Sequence, residues 1–473
     1  MQETLETLRT LGRAVGSKRA EIARQLAKLT QRAIDETGRG LDLAETDLSG
    51  LDLSGADLRR ATLNRAVLHG TRLGGADLSE VTMVCPSMER TDLTGANLRS
   101  AYVHALAVQT CKLDGADMRG LRDATGTLFH GCSMKGVELG GSHLAGSSYY
   151  QCDLTDADFT GVNLQGSLVN ECVLDGADFA DACLDQLSIT KSGMRGASLE
   201  RASGRGLVMQ RLTSTDGLVL RGADLPRLRL DDVAGSGWLA SGLKAVDADF
   251  TDTALTESTF AGADLTGSVL RRCSLPGTDL RRASLANGKV VSSMLRSCKG
   301  AELRAENLGI VESDFSGADL RGMTARCMTA RDANFTGADL RYANLYRAMI
   351  TGDPPKGMSL RGANLRSATL VQAYIAADLT GAVLTGANCA YSRFSQSDLS
   401  EANLDGANMY QSTWVKASFE RASLSGVRPP VFVDRCPGLA EAVDRTGGRA
   451  AAEFGGFLDR FGKLLADCRK GST

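Results

Sequence analysis

Apolar side chains recur every five residues along most of this chain, a period that fits neither an α-helix nor a flat strand. In residues 55–80, GADLRRATLNRAVLHGTRLGGADLSE, the beat falls on Leu58, Leu63, Leu68, Leu73 and Leu78. Small residues, Ala56, Ala61, Ala66, Thr71 and Ala76, stand two positions before each Leu. With the large residue numbered i, the centres run unbroken from Leu43 to Met118. The frame slips by one before Met134 and then holds through Leu154, Phe159, Leu164, Leu174 and Phe179 to Met209. It slips again before Leu220 and holds through Phe250, Leu265 and Leu280 to Leu295. Residues 296–314 read as irregular. The beat returns at Phe315, shifts by one at Leu379, and ends near Phe419 and Leu424.

The words that carry the beat are GADLR at 55–59, GANLR at 95–99, GADLT at 262–266, GADLR at 317–321 and GANLR at 362–366. They match the pattern A(D/N)LXX, and over about 380 residues the chain resembles the pentapeptide-repeat family. The resemblance implies an all-β solenoid, a right-handed quadrilateral β-helix with four pentapeptides per coil. Residue chemistry agrees. Position i points inward and has to be an apolar plug; position i−2 also faces inward, near a corner, and has to be small. Coils stacked at strand spacing, about 4.8 Å, hydrogen-bond to those above and below. Roughly 19 coils would then make a rod on the order of 90 Å long. The expected organisation is an α-helical cap over 1–40, the β-helix over 41–428, and an α-helical cap or dimerisation segment over 429–473.

Composition narrows the picture. Aromatic residues are 5% of the 473 and Gly numbers 53, so many thin, similar layers are expected rather than one bulky core. Aromatic plugs recur one coil apart, at Phe159 and Phe179, Phe315 and Phe335, and Phe394 and Trp414, which predicts rings stacked in interior columns. Net charge is −2, which excludes a polycation for nucleic acid. The start, MQETLETLRT, is not a signal peptide, and no apolar run is long enough to span a membrane. With the twelve Cys read as free thiols, a reducing cytoplasm is the expected location.

Candidate chemistry is sparse. Cys111, Cys132, Cys152 and Cys172 form a ladder at coil spacing, but each occupies the small inward slot i−2, where Cys acts as a small buried hydrophobe. There is no CxxC pair, and the His at 69, 104, 130 and 143 share no ligand spacing, so no metal and no cofactor are expected. No nucleophile elbow, P-loop or HExxH occurs, so no catalytic residue is assigned and an enzyme is not expected. GSGWLASG at 235–242 reads as a strained coil or surface bulge.

Arg at i+1 is more suggestive. Arg59, Arg99 and Arg119 are separated by multiples of 20, as are Arg281, Arg321, Arg341 and Arg361, provided the irregular stretch preserves the coil count. Each set would form a basic stripe, either paired with Asp or Glu of adjacent coils or facing a partner. TGDPPKGM, 351–358, appears in place of one repeat; its Asp353, Pro354, Pro355 and Lys356 are expected on an exposed recognition loop. Leu8, Val15, Ile22 and Leu29 recur every seven residues with Leu5 and Leu26, a helical stripe broken at Gly16 and stopped by Gly38. Beyond Pro429 and Pro430, the residues Phe454, Phe457, Leu458, Phe461, Leu464 and Leu465 line one helical face. That helix is expected to cover the open end of the solenoid or to pair two chains into a homodimer.

Two functions compete. One is a scaffold or adaptor presenting a rigid face to a protein partner; the opening LDLAETDLSGLDLSGADL, after an amphipathic helix, resembles modules of proteins that accompany bacterial type VI secretion, although their upstream domain is missing. The other, implied by family members that confer quinolone or toxin resistance, is a DNA mimic binding DNA gyrase or topoisomerase IV. Residues 1–40 hold 8 basic and 5 acidic residues and 429–473 hold 7 and 6, which leaves 39 basic and 45 acidic between them. A net −6 over 388 residues is weak imitation of a helix with one charge per about 1.7 Å. Direct nucleic-acid binding is not expected.

Overall fold

The computed structural model describes residues 6, 7, 10, 16–352, 357–446, 456 and 459. The chain forms two compact units, Met1–Lys244 and Ala245–Thr473. Both are built as parallel β-solenoid, about 17 turns in all, with two short helices. Within each unit, residues one coil apart pair in parallel, as in Asp42 with Thr62 or Asp319 with Asp339. Three-residue strands such as Leu168–Asn170 stack in register on the next, Ser188–Thr190.

One repeat shows why the motif is A(D/N)LXX. Ala56 and Leu58 are both buried inside the coil. Between them Asp57 faces out, and its Oδ1 accepts a hydrogen bond from the Arg59 backbone N–H at 3.2 Å. The carboxylate thereby fixes the turn at its own corner, an Asx-type turn that Asp and Asn alone make well. The residue after the turn sits in the left-handed region, Gly55 at φ 69° and Arg60 at φ 55°. Gly is favoured there because a Cβ costs roughly 1–2 kcal/mol in that conformation.

Each frame slip has a physical form. Pairing runs at a separation of 20 between Tyr102 and Arg122 and at 21 between Ala107 and Leu128. The extra residue, Asp123, is a bulge at φ 54°. It accepts hydrogen bonds from Tyr102 Oη at 2.8 Å and His104 Nδ1 at 3.1 Å. The stretch 296–314 is regular, contrary to the sequence reading. Its repeats vary the sizes of the inward pair: Leu303 fills i−2 while Ala305 takes i, Leu308 and Ile310 are both large, and all are buried. The chain from 352 to 358 is an insertion rather than a substituted repeat. Ile350 pairs with Ile375, a separation of 25 where neighbouring coils have 20, so this coil carries five extra residues.

Aromatic columns form inside. Phe159 stacks on Phe179 at 4.6 Å and Phe315 on Phe335 at 5.0 Å between ring centroids. Phe394 and Trp414 share a register, and the Trp414 ring packs against Phe419 at 4.5 Å. Trp238 overturns one of the two readings of GSGWLASG, the surface bulge. It is fully buried, and its indole N–H donates to Thr215 Oγ1 at 3.0 Å.

Among the described residues all eleven cysteines are free thiols. The ladder Cys111, Cys132, Cys152 and Cys172 is buried, whereas Cys85 and Cys327 are exposed. Burial pushes the Cys111 and Cys273 thiols up to about 11, and Cys389 up to about 12. Thiolate is the reactive form. Native-state alkylation followed by peptide mass spectrometry should therefore modify Cys85 and Cys327 within minutes and the four ladder thiols only after unfolding.

One helix precedes the ladder of the first unit and another follows the ladder of the second. Helix α1, Gly16–Thr37, buries Leu26 and donates from Thr30 Oγ1 to the Asp57 carbonyl at 2.7 Å. Gly38, at φ 70°, ends it. At the other end the ladder continues past Pro429 and Pro430. Phe432–Asp434 pairs with Thr413–Val415, because both prolines fall at the corner before the strand. Helix α2, Leu439–Thr446, then buries Leu439, Ala442 and Val443. It follows Gly438, whose Cα packs beside Phe419 and Glu420 of the last coil.

Candidate interaction surface

The outward rows of the solenoid are ordered by the same repeat that orders the core. In the first unit Asp57, Asp77, Asn97 and Asp117 pair in succession, which places Arg59, Arg99 and Arg119 in one column. In the second unit the row runs Asp279, Lys299, Asp319, Asp339 and Asn364. Arg281, Arg321 and Arg341 therefore share a column, two positions beyond Asp279, Asp319 and Asp339. Arg361 does not belong to it. Ser359, which starts its repeat, pairs with Asn334 and Asp378 on the preceding face, and Arg361 lies 3.9 Å from Asp378. The five inserted residues shift the register by one side, so Arg366 continues the stripe.

The arginines are tied down within their own repeats. Arg281 holds Asp279 at 2.6 Å, Arg321 holds Asp319 at 2.7 Å, and Arg341 holds Asp339 at 2.6 Å. Arg321 also lies 3.8 Å from Asp339 of the next coil. Sequence reading anticipated pairs between coils; the dominant pair is the one that the Asx turn already preorganises. Arg119 bridges Asp117 at 2.7 Å and Glu138 at 2.8 Å. The Arg119 guanidinium holds the Asp117 carboxyl down at about 2. Arg281 and Arg321 lower Asp279 and Asp319 in the same way.

These shifts set an acid limit. A carboxylate whose folded pKa lies below its unfolded value, about 3.9, contributes stability that is full above that value and disappears as pH falls through the folded pKa. Urea midpoints should hold from pH 7 to about 5 and fall steeply between about 4 and 2. Asp117→Asn should flatten that fall, and an unchanged profile would count against the pairing.

Asp353, Pro354, Pro355 and Lys356, and Phe454, Phe457 and Phe461, lie outside the described residues. A surface that sequence reading missed is described. In the second unit Met349, Tyr374, Arg393, Thr413 and Phe432 follow one another in register along one face. Tyr391, Tyr410 and Val431 occupy the adjoining corner. Met349 is 53% exposed, Tyr391 55%, Val431 46% and Phe432 40%. Tyr391 meets Tyr410 edge-on at 5.7 Å. Arg428 lies over the Tyr410 ring at 4.0 Å and Arg393 over Tyr374 at 5.8 Å. The signal was present in the frame: Met349, Tyr374 and Phe432 stand at the outward position before the plug, normally Asp, Asn or Thr, and Tyr391 stands at the turn position normally filled by Gly.

No group of His, Cys, Asp or Glu suited to a metal ion occurs among the described residues. No described helix is long and apolar enough to cross a membrane. The interior cavity beside Phe335, lined by Met323, Met328, Leu345, Ile350 and Met358, measures about 10 Å³, room for a water and no more.

The profile of pentapeptide repeats matches in eight copies, at residues 42–79, 152–186, 248–287, 313–352, 377–413 and 402–428. The chain belongs to the pentapeptide-repeat family. Among solved structures, this pentapeptide-repeat protein is similar to full-length QnrB1, a plasmid-mediated fluoroquinolone resistance protein, at 16% identity over 43% of this chain and 100% of that one, with a TM-score of 0.22. It is also similar to HetL, involved in heterocyst differentiation regulation in the cyanobacterium Nostoc sp. strain PCC 7120, at 19% identity over 86% and 95%, with a TM-score of 0.10. A pentapeptide-repeat protein of the Arabidopsis thaliana thylakoid lumen is 22% identical over 32% of this chain and 68% of that one, at a TM-score of 0.09. No curated protein matches significantly.

Proposed function

We propose that this chain is a non-enzymatic, cytoplasmic scaffold that binds a protein partner along its ordered outer faces. The observation that supports the reading is the column of Arg281, Arg321 and Arg341, each held by an Asp of its own repeat. Side chains fixed before binding lose little freedom on association, so such a column favours a large, complementary protein surface over a small ligand. The core is plugged throughout that column, which leaves chemistry to the exterior. A link to secretion machinery belongs to the same reading and rests on the opening repeats alone.

The alternative, a DNA mimic that engages DNA gyrase or topoisomerase IV, requires dense uncompensated negative charge. Pairs such as Asp279 with Arg281, Asp319 with Arg321 and Asp339 with Arg341 work against it, because along that column the carboxylates carry their own cations. The deciding experiment is affinity capture from the native host with quantitative mass spectrometry, using the full chain and Arg321→Glu/Arg341→Glu. A nuclease-insensitive protein partner whose recovery falls at least tenfold on charge reversal is expected. Protection of gyrase from a quinolone in a supercoiling assay, equal in both proteins, would overturn the scaffold reading.

A further inference from the structure

One side of the second unit's solenoid carries cations and no anions. It is formed in successive coils by residues 323–327, 343–347, 368–372 and 387–391. The pairs Thr324 with Asn344, Asn344 with Thr369 and Thr369 with Asn388 align it. These segments contain no Asp, Glu or Lys, and among Thr and Asn they present Arg326, Tyr346, Arg347, Gln372 and Tyr391. We propose that this side, with Tyr342 and Arg366 on its bordering corner, docks a carboxylate-rich segment of a partner protein. The inference rests on the scaffold reading for there being a protein partner, and adds the face that it uses and the charge that it carries.

Three observations support this occupant. First, the arginines here are unengaged, unlike those of the stripe. Arg321 and Arg341 are held by Asp319 and Asp339 of their own repeats. Arg366 has Asn364 in place of that Asp. Among the described residues neither it nor Arg326 nor Arg347 forms an ion pair, and all three are exposed. An incoming carboxylate can take two N–H donors of a free guanidinium at once, whereas a paired guanidinium has first to give up its partner. Second, the aromatic groups are set before anything binds. The Arg326 guanidinium lies over the Tyr346 ring at 5.5 Å, and Tyr346 Oη donates to Gln372 Oε1 at 3.0 Å. Tyr342 is 64% exposed. Exposed Tyr and Arg in the absence of Lys, Asp and Glu is the composition of interface centres. Third, the backbone is already used. The Arg347 N–H donates to the Val371 carbonyl at 2.9 Å and the Cys327 N–H to the Tyr346 carbonyl at 2.8 Å, so recognition falls to side chains and not to strand addition.

The surroundings choose among anions. Glu306 of the preceding coil accepts from Thr324 Oγ1 at 2.9 Å, and the row of Asp319 and Asp339 stands on the adjoining side. From Thr324 to Asn388 is three coil steps, about 14 Å at strand spacing. That length takes a short acidic segment. A nucleic-acid backbone, charged along its whole length, would run on into the bordering carboxylates. A second copy offering the same face would set arginine against arginine, because a two-fold contact is self-complementary.

Fluorescence anisotropy on the full chain at low salt tests the proposal. The probe is a labelled peptide of alternating Glu and Tyr, with its Gln and Tyr counterpart as control, single-stranded oligo-dT as competitor, and light scattering to fix the oligomeric state. The Glu peptide should bind at least about tenfold more tightly than the Gln peptide, and Arg326→Glu/Arg347→Glu should weaken it at least about tenfold. Arg281→Gln/Arg321→Gln, which removes two paired cations, should leave the affinity within about twofold. If the Glu variant melts differently from the parent, Arg326→Gln/Arg347→Gln replaces it, with an expected loss of about fivefold or more. Equal losses from the two arginine pairs overturn the proposal, as does a probe that binds no better than its Gln counterpart. Displacement of the peptide by oligo-dT at equal charge concentration assigns the face to nucleic acid and overturns it. A dimer mass that Arg326→Glu/Arg347→Glu abolishes assigns the face to a second copy and overturns it equally. Host capture tests the scaffold reading separately: no partner there, beside face-specific peptide binding, sinks that reading and leaves the peptide result standing.

Discussion

Phe335→Asp should unravel the middle of the second unit. Phe335 is buried, stacked on Phe315 at 5.0 Å with ring planes 5° apart. Its other neighbours include Met323, Met328, Leu340, Ile350 and Leu360. None can accept or donate a strong hydrogen bond, so a carboxylate there is unpaired and either pays its desolvation or takes up a proton. The lost ring adds a cavity term of about 3–5 kcal/mol for truncation of a buried Phe. Together the change should remove well over about 4 kcal/mol, at the upper limit of single substitutions. A solenoid couples each coil only to its neighbours, so the damage should be local. Exchange protection should collapse around 310–360 while 248–290 stays folded. Phe335→Leu, which keeps the plug and loses the stacking, should cost about 1–2 kcal/mol. Equal urea midpoints for the two variants would refute the inward assignment of Phe335.

Gly235→Leu should damage the first unit although it restores the repeat consensus. Gly235 stands at a plug position, where Leu is the rule. A Cβ there would collide with Thr215 Oγ1 and lie 2.8 Å from Trp238 Nε1. The indole of Trp238, at the neighbouring small slot, has taken the volume that a plug would fill. Overpacking of a close-packed core costs about 1–3 kcal/mol, and here it also displaces the indole from its hydrogen bond to Thr215. Trp238→Ala alone should cost about 3–5 kcal/mol through the cavity it leaves. The double change Gly235→Leu/Trp238→Ala returns the site to consensus, large at i and small at i−2. It should be more stable than either single variant, with a coupling of about 2 kcal/mol or more in a double-mutant cycle. Additive losses in chemical melts would show that the two side chains do not share one space.

The sequence by itself determined the repeat, the identity of inward positions, the family and the architecture. Those follow from local rules: a plug, a small residue and an Asx turn recur in each pentapeptide, and each is legible without knowing the neighbours. The burial of the cysteine ladder and the pairing of Phe159 with Phe179 were legible for the same reason. Tertiary structure decided what depends on the coil above and below. It exchanged large and small residues at Leu303 and Ala305, because both inward slots of a side open on the same interior and either can hold the larger side chain. It placed Trp238 inside, where Gly235 makes room. It moved the arginine stripe from Arg361 to Arg366, because an insertion of one repeat length leaves the five-residue beat intact while advancing the chain by one side of the coil. It gave Asp279, Asp319 and Asp339 to the arginines of their own repeats, because the turn brings those groups together before the next coil arrives. A period of five fixes which way a side chain points; which side of the coil it stands on, and against what, is fixed only when the coils stack.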